Sequence, residues 1–175
     1  MKIAFLSYTY GTNGIPIPNG KEYCINLIDK DLILSHLENA KKQHPDLICV
    51  SMHWGNEYEL TPNKSQNELA DFLFENGVDI IFGNHPHVLQ PLECKTIELP
   101  DGTSKNVFVI YSLGNFIFDT DYQRSQFNTE LGLLIKLNFT ENEFTFEPMG
   151  LKIERGEEHI VKSELPRIFV DVDEE

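Results

Sequence analysis

The first half of the chain alternates short, nearly continuous apolar runs with segments whose apolar residues recur at three- and four-residue spacing. Runs at 2–8, 46–51 and 78–82 read as buried strands, the second with Leu47-Ile48-Cys49-Val50 at its centre. Leu32, Ile33, His36, Leu37 and Ala40 share one face of a predicted helix over 29–43, with acidic residues at its start and Lys41-Lys42 at its end. Leu69, Phe72, Leu73 and Asn76 do the same over 63–76, and Gly77 suits the C-cap. The stretch 11–20 is rich in Gly, Pro and Asn and reads as a loop, and 22–27 as a short strand. After Val88 the period changes to that of strands. Two hairpins are predicted, 90–99 with 106–111 and 131–139 with 143–153, followed by a polar tail from Arg155. The pattern is α/β first and mostly β afterwards, with no internal repeat.

Composition narrows the class. With 175 residues, 41% hydrophobic and 24% charged, the chain suits one globular domain. Lys and Arg number 14 against 28 Asp and Glu, a formal net charge of −14, which disfavours nucleic acid and anionic membranes. Such a surface would repel an acidic polymer unless a bound cation reverses the local sign. Three cysteines without a CxxC pair argue against a disulfide framework. No stretch approaches the roughly 20 apolar residues of a membrane span, so the chain as written reads as soluble.

Candidate chemistry sits in two loops that follow predicted strands. One reads Ser51-Met52-His53-Trp54-Gly55-Asn56-Glu57-Tyr58, the other Gly83-Asn84-His85-Pro86-His87-Val88-Leu89-Gln90-Pro91. Strand 46–51, helix 63–76 and strand 78–82 form a βαβ unit, which makes the two strands parallel. Both loops then leave the carboxyl edge of the sheet, where α/β folds bind ligands. Pro86 disfavours α geometry at His85, so 85–87 is expected to be extended, with both rings on one side. Gly83 is expected to turn the backbone sharply at the strand end. Neutral imidazole is a common metal ligand, and three converging rings point to a bound transition metal.

Other residues have plainer readings beside the functional ones. His36 reads as a satisfied core or boundary histidine, and His44 and His159 as surface residues. Trp54 reads as core rather than as a ring packed over the site. Glu57 is either a general base, a partner of a ligating imidazole, or an exposed loop residue. Asn115, in the third dense loop, Tyr111-Ser112-Leu113-Gly114-Asn115-Phe116-Ile117-Phe118-Asp119, either orients the site or caps a turn.

These three loops resemble the bacterial capsule synthesis family of the CapA type, associated with poly-γ-glutamate capsules and related to calcineurin-like metallophosphoesterases. The resemblance implies that this chain is the C-terminal portion of a four-layer α/β/β/α sandwich, with that portion at 1–154 and the tail at 155–175. It implies metal ligands at His53, His85 and His87, catalytic roles at Glu57 and Asn115, and one or two divalent ions of zinc, manganese or iron. The family's Gly-Asp, Asn-Leu-Glu and Asn-Asn-His elements do not occur here, so the site is expected to be incomplete in this chain. An anionic polymer or phosphoester would be the substrate, within bacterial capsule machinery at the cell envelope. A half-sandwich exposes a strand edge, so a homo-oligomer or pairing with a missing N-terminal half is expected. Three activities remain open: a metal-dependent phosphoesterase, a non-catalytic polymer-binding component, and a mononuclear three-histidine zinc amidohydrolase.

Overall fold

A computed structural model describes residues 1–99, 102–116, 128–139, 144–153 and 161–162. Five strands form the main sheet: β1 (Ile3–Thr9), β2 (Leu47–His53), β3 (Ile80–Asn84), β4 (Leu92–Glu98) and β5 (Ser104–Ile110). Their order is β1-β2-β3-β5-β4, with β4 antiparallel to β5 and the other neighbours parallel. Helices α1 (Lys30–Lys41) and α2 (Lys64–Glu75) make the crossovers on either side of β2. A second, antiparallel sheet holds β6 (Leu131–Phe139), β7 (Phe144–Ile153) and β8 (Val161–Lys162) in that order.

Strand alternation divides the core between the two faces of the main sheet. Ile48, Val50, Met52 and Ile81 pack against Ile33 and Leu37 of α1 and Leu69, Ala70 and Leu73 of α2. Cys49, Ile80, Phe108 and Ile110 face the other way, against Leu133, Ile135 and Leu137 of β6 and Phe146 of β7. The described residues thus build three layers: helices, mixed sheet, antiparallel sheet. The expected α/β class holds, while an outer helical layer beyond β6–β8 is not found among the described residues.

Local signals account for the helix ends. Asp29 caps α1 by accepting from Leu32 N at 2.8 Å. Asn63 and Gln66 form a reciprocal capping box on α2. Gly77, at φ +96°, closes α2 as expected.

The expected strand at 22–27 is instead a 3-10 turn, Glu22–Cys24, with only Leu27 bridging Thr9. Asn26 Nδ2 donates to Ser7 O, so this segment covers just the end of the β1 edge. The tail lies outside the described residues apart from β8, as do His159 and the motif's last residues, 117–119.

Among the described residues, the cluster between the two sheets does not extend to β1. Ile3 and Phe5 point to its side of the main sheet and are 45% and 62% exposed. Their strand is also the outer edge of that sheet.

Candidate metal centre

His53 ends β2 and is paired in register with Asn84, the last residue of β3, so His85 begins beside it. The two loops therefore leave the carboxyl ends of adjacent parallel strands. Backbone bonds cross-link them: Trp54 N donates to Asn84 O at 3.1 Å, and Tyr58 N to Pro86 O at 2.8 Å. From the third loop, Leu113 N donates to Gly83 O at 3.0 Å.

The rings of His53 and His85 lie 4.7 Å apart between centroids, and those of His85 and His87 6.3 Å. Two imidazoles on one ion, with metal–nitrogen bonds of about 2.0–2.1 Å, place their centroids about 4.5–5.5 Å apart. The donor chemistry fits a transition metal, and the His53–His85 spacing fits a shared ion. His87 stands wider. Among the described residues, no three His, Cys, Asp or Glu side chains form a group close enough to hold an ion as placed.

The backbone here is strained. His85 has φ +101°, His87 φ +60° and Tyr58 φ +67°. The expected extended run through Pro86 is therefore replaced by a bend: with both histidines at positive φ, the rings are aimed by left-handed backbone, not by strand alternation. Such conformations cost about 1–3 kcal/mol each and cluster at functional sites. Gly83 differs from expectation too. It lies within β3 without positive φ, and its role is close approach, since a Cβ there would sit 1.9 Å from Tyr111 O.

Burial is the main cause of low imidazole basicity at this site. It holds both His53 and His85 below the ordinary value of 6.5. The positive charge of a protonated His87 adds to this for His53. For His85 the charge of His53 comes next, opposed by the Glu57 carboxylate, and His87 contributes least. Just below pH 6.5 the unfolded chain therefore binds more protons than the folded one, and stability is lost as pH falls through the folded values. The urea midpoint of the metal-free protein is expected to drop between about pH 7 and pH 5, and His53→Ala to flatten part of that slope. Urea titrations across this range, showing a slope unchanged by His53→Ala, would remove the assignment to this pair.

Glu57 is exposed, and its charge reaches His85. Asn115 is 7% exposed and reaches the site through His87, whose Nδ1 lies 2.8 Å from its Oδ1. Trp54 is core as expected, 2% exposed, donating from Nε1 to Tyr111 O at 2.9 Å. His36 pairs with the Tyr8 hydroxyl at 3.1 Å, and His44 is exposed.

Two features escape the sequence reading. Tyr10 packs on both His53 and His85, with centroids 5.8 and 4.5 Å away, and its N donates to His53 O. The available signal was its place just past a strand parallel to β2. Gln66 and Gln90, 1% and 4% exposed, form a buried chain: Gln66 Nε2 donates to Gln90 Oε1, and Gln90 Nε2 to Glu59 O and Thr61 O. This chain ties α2 to the loop that carries Glu57 and Tyr58. No linear motif announces it.

Comparison with known proteins adds two kinds of match. The family described as bacterial capsule synthesis protein PGA_cap matches residues 1–120. The PGA biosynthesis protein CapA of Bacillus subtilis (strain 168) is 39% identical over 112 residues, covering 64% of this chain and 27% of that protein. The capsule biosynthesis protein CapA of Bacillus anthracis is 33% identical over 144 residues, 80% of this chain and 32% of that protein. The chain thus spans about a third or less of the curated relatives it matches.

Proposed function

Because this chain belongs to the bacterial capsule synthesis family, we propose that it is part of a poly-γ-glutamate capsule biosynthesis protein with a metallophosphoesterase-like hydrolytic site. The observation that carries this reading is the approach of His53, at the carboxyl end of β2, to His85 and His87, which follow β3 on strained backbone. A divalent transition metal held by these three residues would supply Lewis acidity toward a phosphoryl oxygen. The low basicity of His53 and His85 keeps their rings neutral near pH 7, the state in which they can ligate. The charge of the exposed Glu57 reaches His85, and we assign Glu57 the proton of an attacking water. Tyr10 packs on both His53 and His85. Three imidazoles bring no negative charge, and we assign the remaining ligands to the part of the longer relatives that this chain does not span.

Phosphoester hydrolysis with added zinc, manganese or iron, measured on this segment joined to the remaining part of a full-length relative, tests this reading. Turnover that requires the metal and falls at least tenfold in Glu57→Gln is expected. The lack of a closed three-ligand group among the described residues favours a second reading, a non-catalytic component that binds polymer. Metal-dependent poly-γ-glutamate binding without phosphoester turnover would select it.

The uncovered face at Ile3 and Phe5 belongs to the same account. An open edge strand with exposed apolar side chains invites pairing, and the isolated chain is expected to self-associate through it. Light scattering across a concentration series should show oligomers for the parent chain and a shift toward monomer for Phe5→Lys. A parent that stays monomeric throughout contradicts this.

A further inference from the structure

We infer that Asn115 is a positioning residue that locks the neutral His87 ring in its Nδ1–H tautomer and so aims the Nε2 lone pair at the site. The inference rests on the reading that His87 belongs to the metal centre, but its geometry stands on its own. Asn115 Nδ2 lies 2.8 Å from Thr129 O and 3.1 Å from His87 O. Both partners are carbonyl oxygens, which only accept, so the nitrogen end of the amide must face them. Flipping the amide would set Oδ1 against two other oxygens in a buried place. The orientation is therefore determined, and Oδ1 faces His87 Nδ1 at 2.8 Å. An amide oxygen only accepts, so Nδ1 carries the hydrogen. In a neutral imidazole that leaves Nε2 as the basic nitrogen.

The clamp has a second anchor. Asn115 N donates to Leu131 O at 3.3 Å, and a Cβ at Gly132 would sit 1.9 Å from Asn115 O, so β6 runs hard against this residue. Thr129, fully buried just before β6, supplies the other carbonyl. The antiparallel sheet, which carries none of the candidate ligands, is thereby wired to His87 through one side chain. Asn115 holds both the main-chain oxygen and the ring of a residue at φ +60°. A partner that fixes the far nitrogen of a ligating histidine typically changes metal affinity 10–100-fold when removed.

Long-range proton–nitrogen correlation spectra of the metal-free protein, labelled with nitrogen-15 in histidine, test this near pH 8, where ordinary imidazole is neutral (about 6.5 for its pKa). The signal set lost in His87→Gln identifies this ring. A single Nδ1–H tautomer is expected in the parent, and an averaged or Nε2–H pattern in Asn115→Ala, together with roughly 10–100-fold weaker zinc binding. An averaged or Nε2–H ring in the parent overturns the inference, as does an unchanged tautomer in Asn115→Ala. Should that variant fail to fold, the parent spectrum alone decides. A locked Nδ1–H ring in a protein that takes up no metal would uphold the clamp while refuting the metal reading.

Discussion

Replacing His85 with glycine is expected to remove transition-metal binding while leaving the metal-free fold at least as stable as the parent. The two effects have separate causes. The ring of His85 stands between those of His53 and His87, 4.7 and 6.3 Å away, so without it the other two do not make a site. Affinity should fall by more than 100-fold, beyond what loss of a supporting partner produces. The backbone of His85 is at φ +101°, where a side chain with a Cβ is strained and glycine is not. Relief of that strain, set against the greater chain entropy of glycine, should yield about 1 kcal/mol of added stability in the metal-free state. His85→Ala keeps the strain and should lose the metal without the gain. Zinc titration and urea melts of both variants check the pair of effects. A His85→Gly protein that still binds zinc like the parent would remove His85 from the ligand set.

Gly83→Ala is expected to be the most damaging single methyl in the β3 region. The added carbon would lie 1.9 Å from Tyr111 O and 2.7 Å from Trp54 Nε1. The first is a backbone atom, so β3 or the segment after β5 must move. Either movement breaks the Trp54 Nε1–Tyr111 O bond or the Leu113 N–Gly83 O bond, both in the core beside the site. Combined overpacking and lost buried bonds put the cost above about 4 kcal/mol, a large share of the 5–15 kcal/mol that holds a domain of this kind together. Thermal melting should show a midpoint lower by about 10 °C or more, or no cooperative transition. Gly11→Ala, with nothing within 4 Å of its added carbon, serves as the neutral control. A Gly83→Ala midpoint within a degree or two of the parent would mean that β3 and the 111–113 segment do not approach as described.

The periodic elements were legible because one face of each is buried against one neighbour. Runs such as Leu47 to Val50, and the helical face at Leu69, Phe72 and Leu73, carry that burial directly in their spacing. From the βαβ order followed the parallel pairing of β2 with β3, and with it the meeting of His53 and His85 at one edge. What was not legible depends on contacts between segments distant in sequence. The bend at His85 and His87 is set by Tyr58 N on Pro86 O and by the Asn115 clamp, and it overrides the extended preference that Pro86 imparts. Gly83 reads like a turn residue, but its necessity comes from Tyr111, 28 positions later. Tyr10 gives no periodic signal at all, because it enters the site only through the β1–β2 register. At 22–27, where a short strand was expected, the segment meets β1 only through a single bridge at Thr9 and forms a 3-10 turn.

Metal content per chain, measured by elemental mass spectrometry on protein purified without a chelating tag, is the most direct test of the candidate centre. About one equivalent or more of zinc, manganese or iron is expected, lost in His85→Gly. Protein that stays metal-free after incubation with all three ions would contradict it.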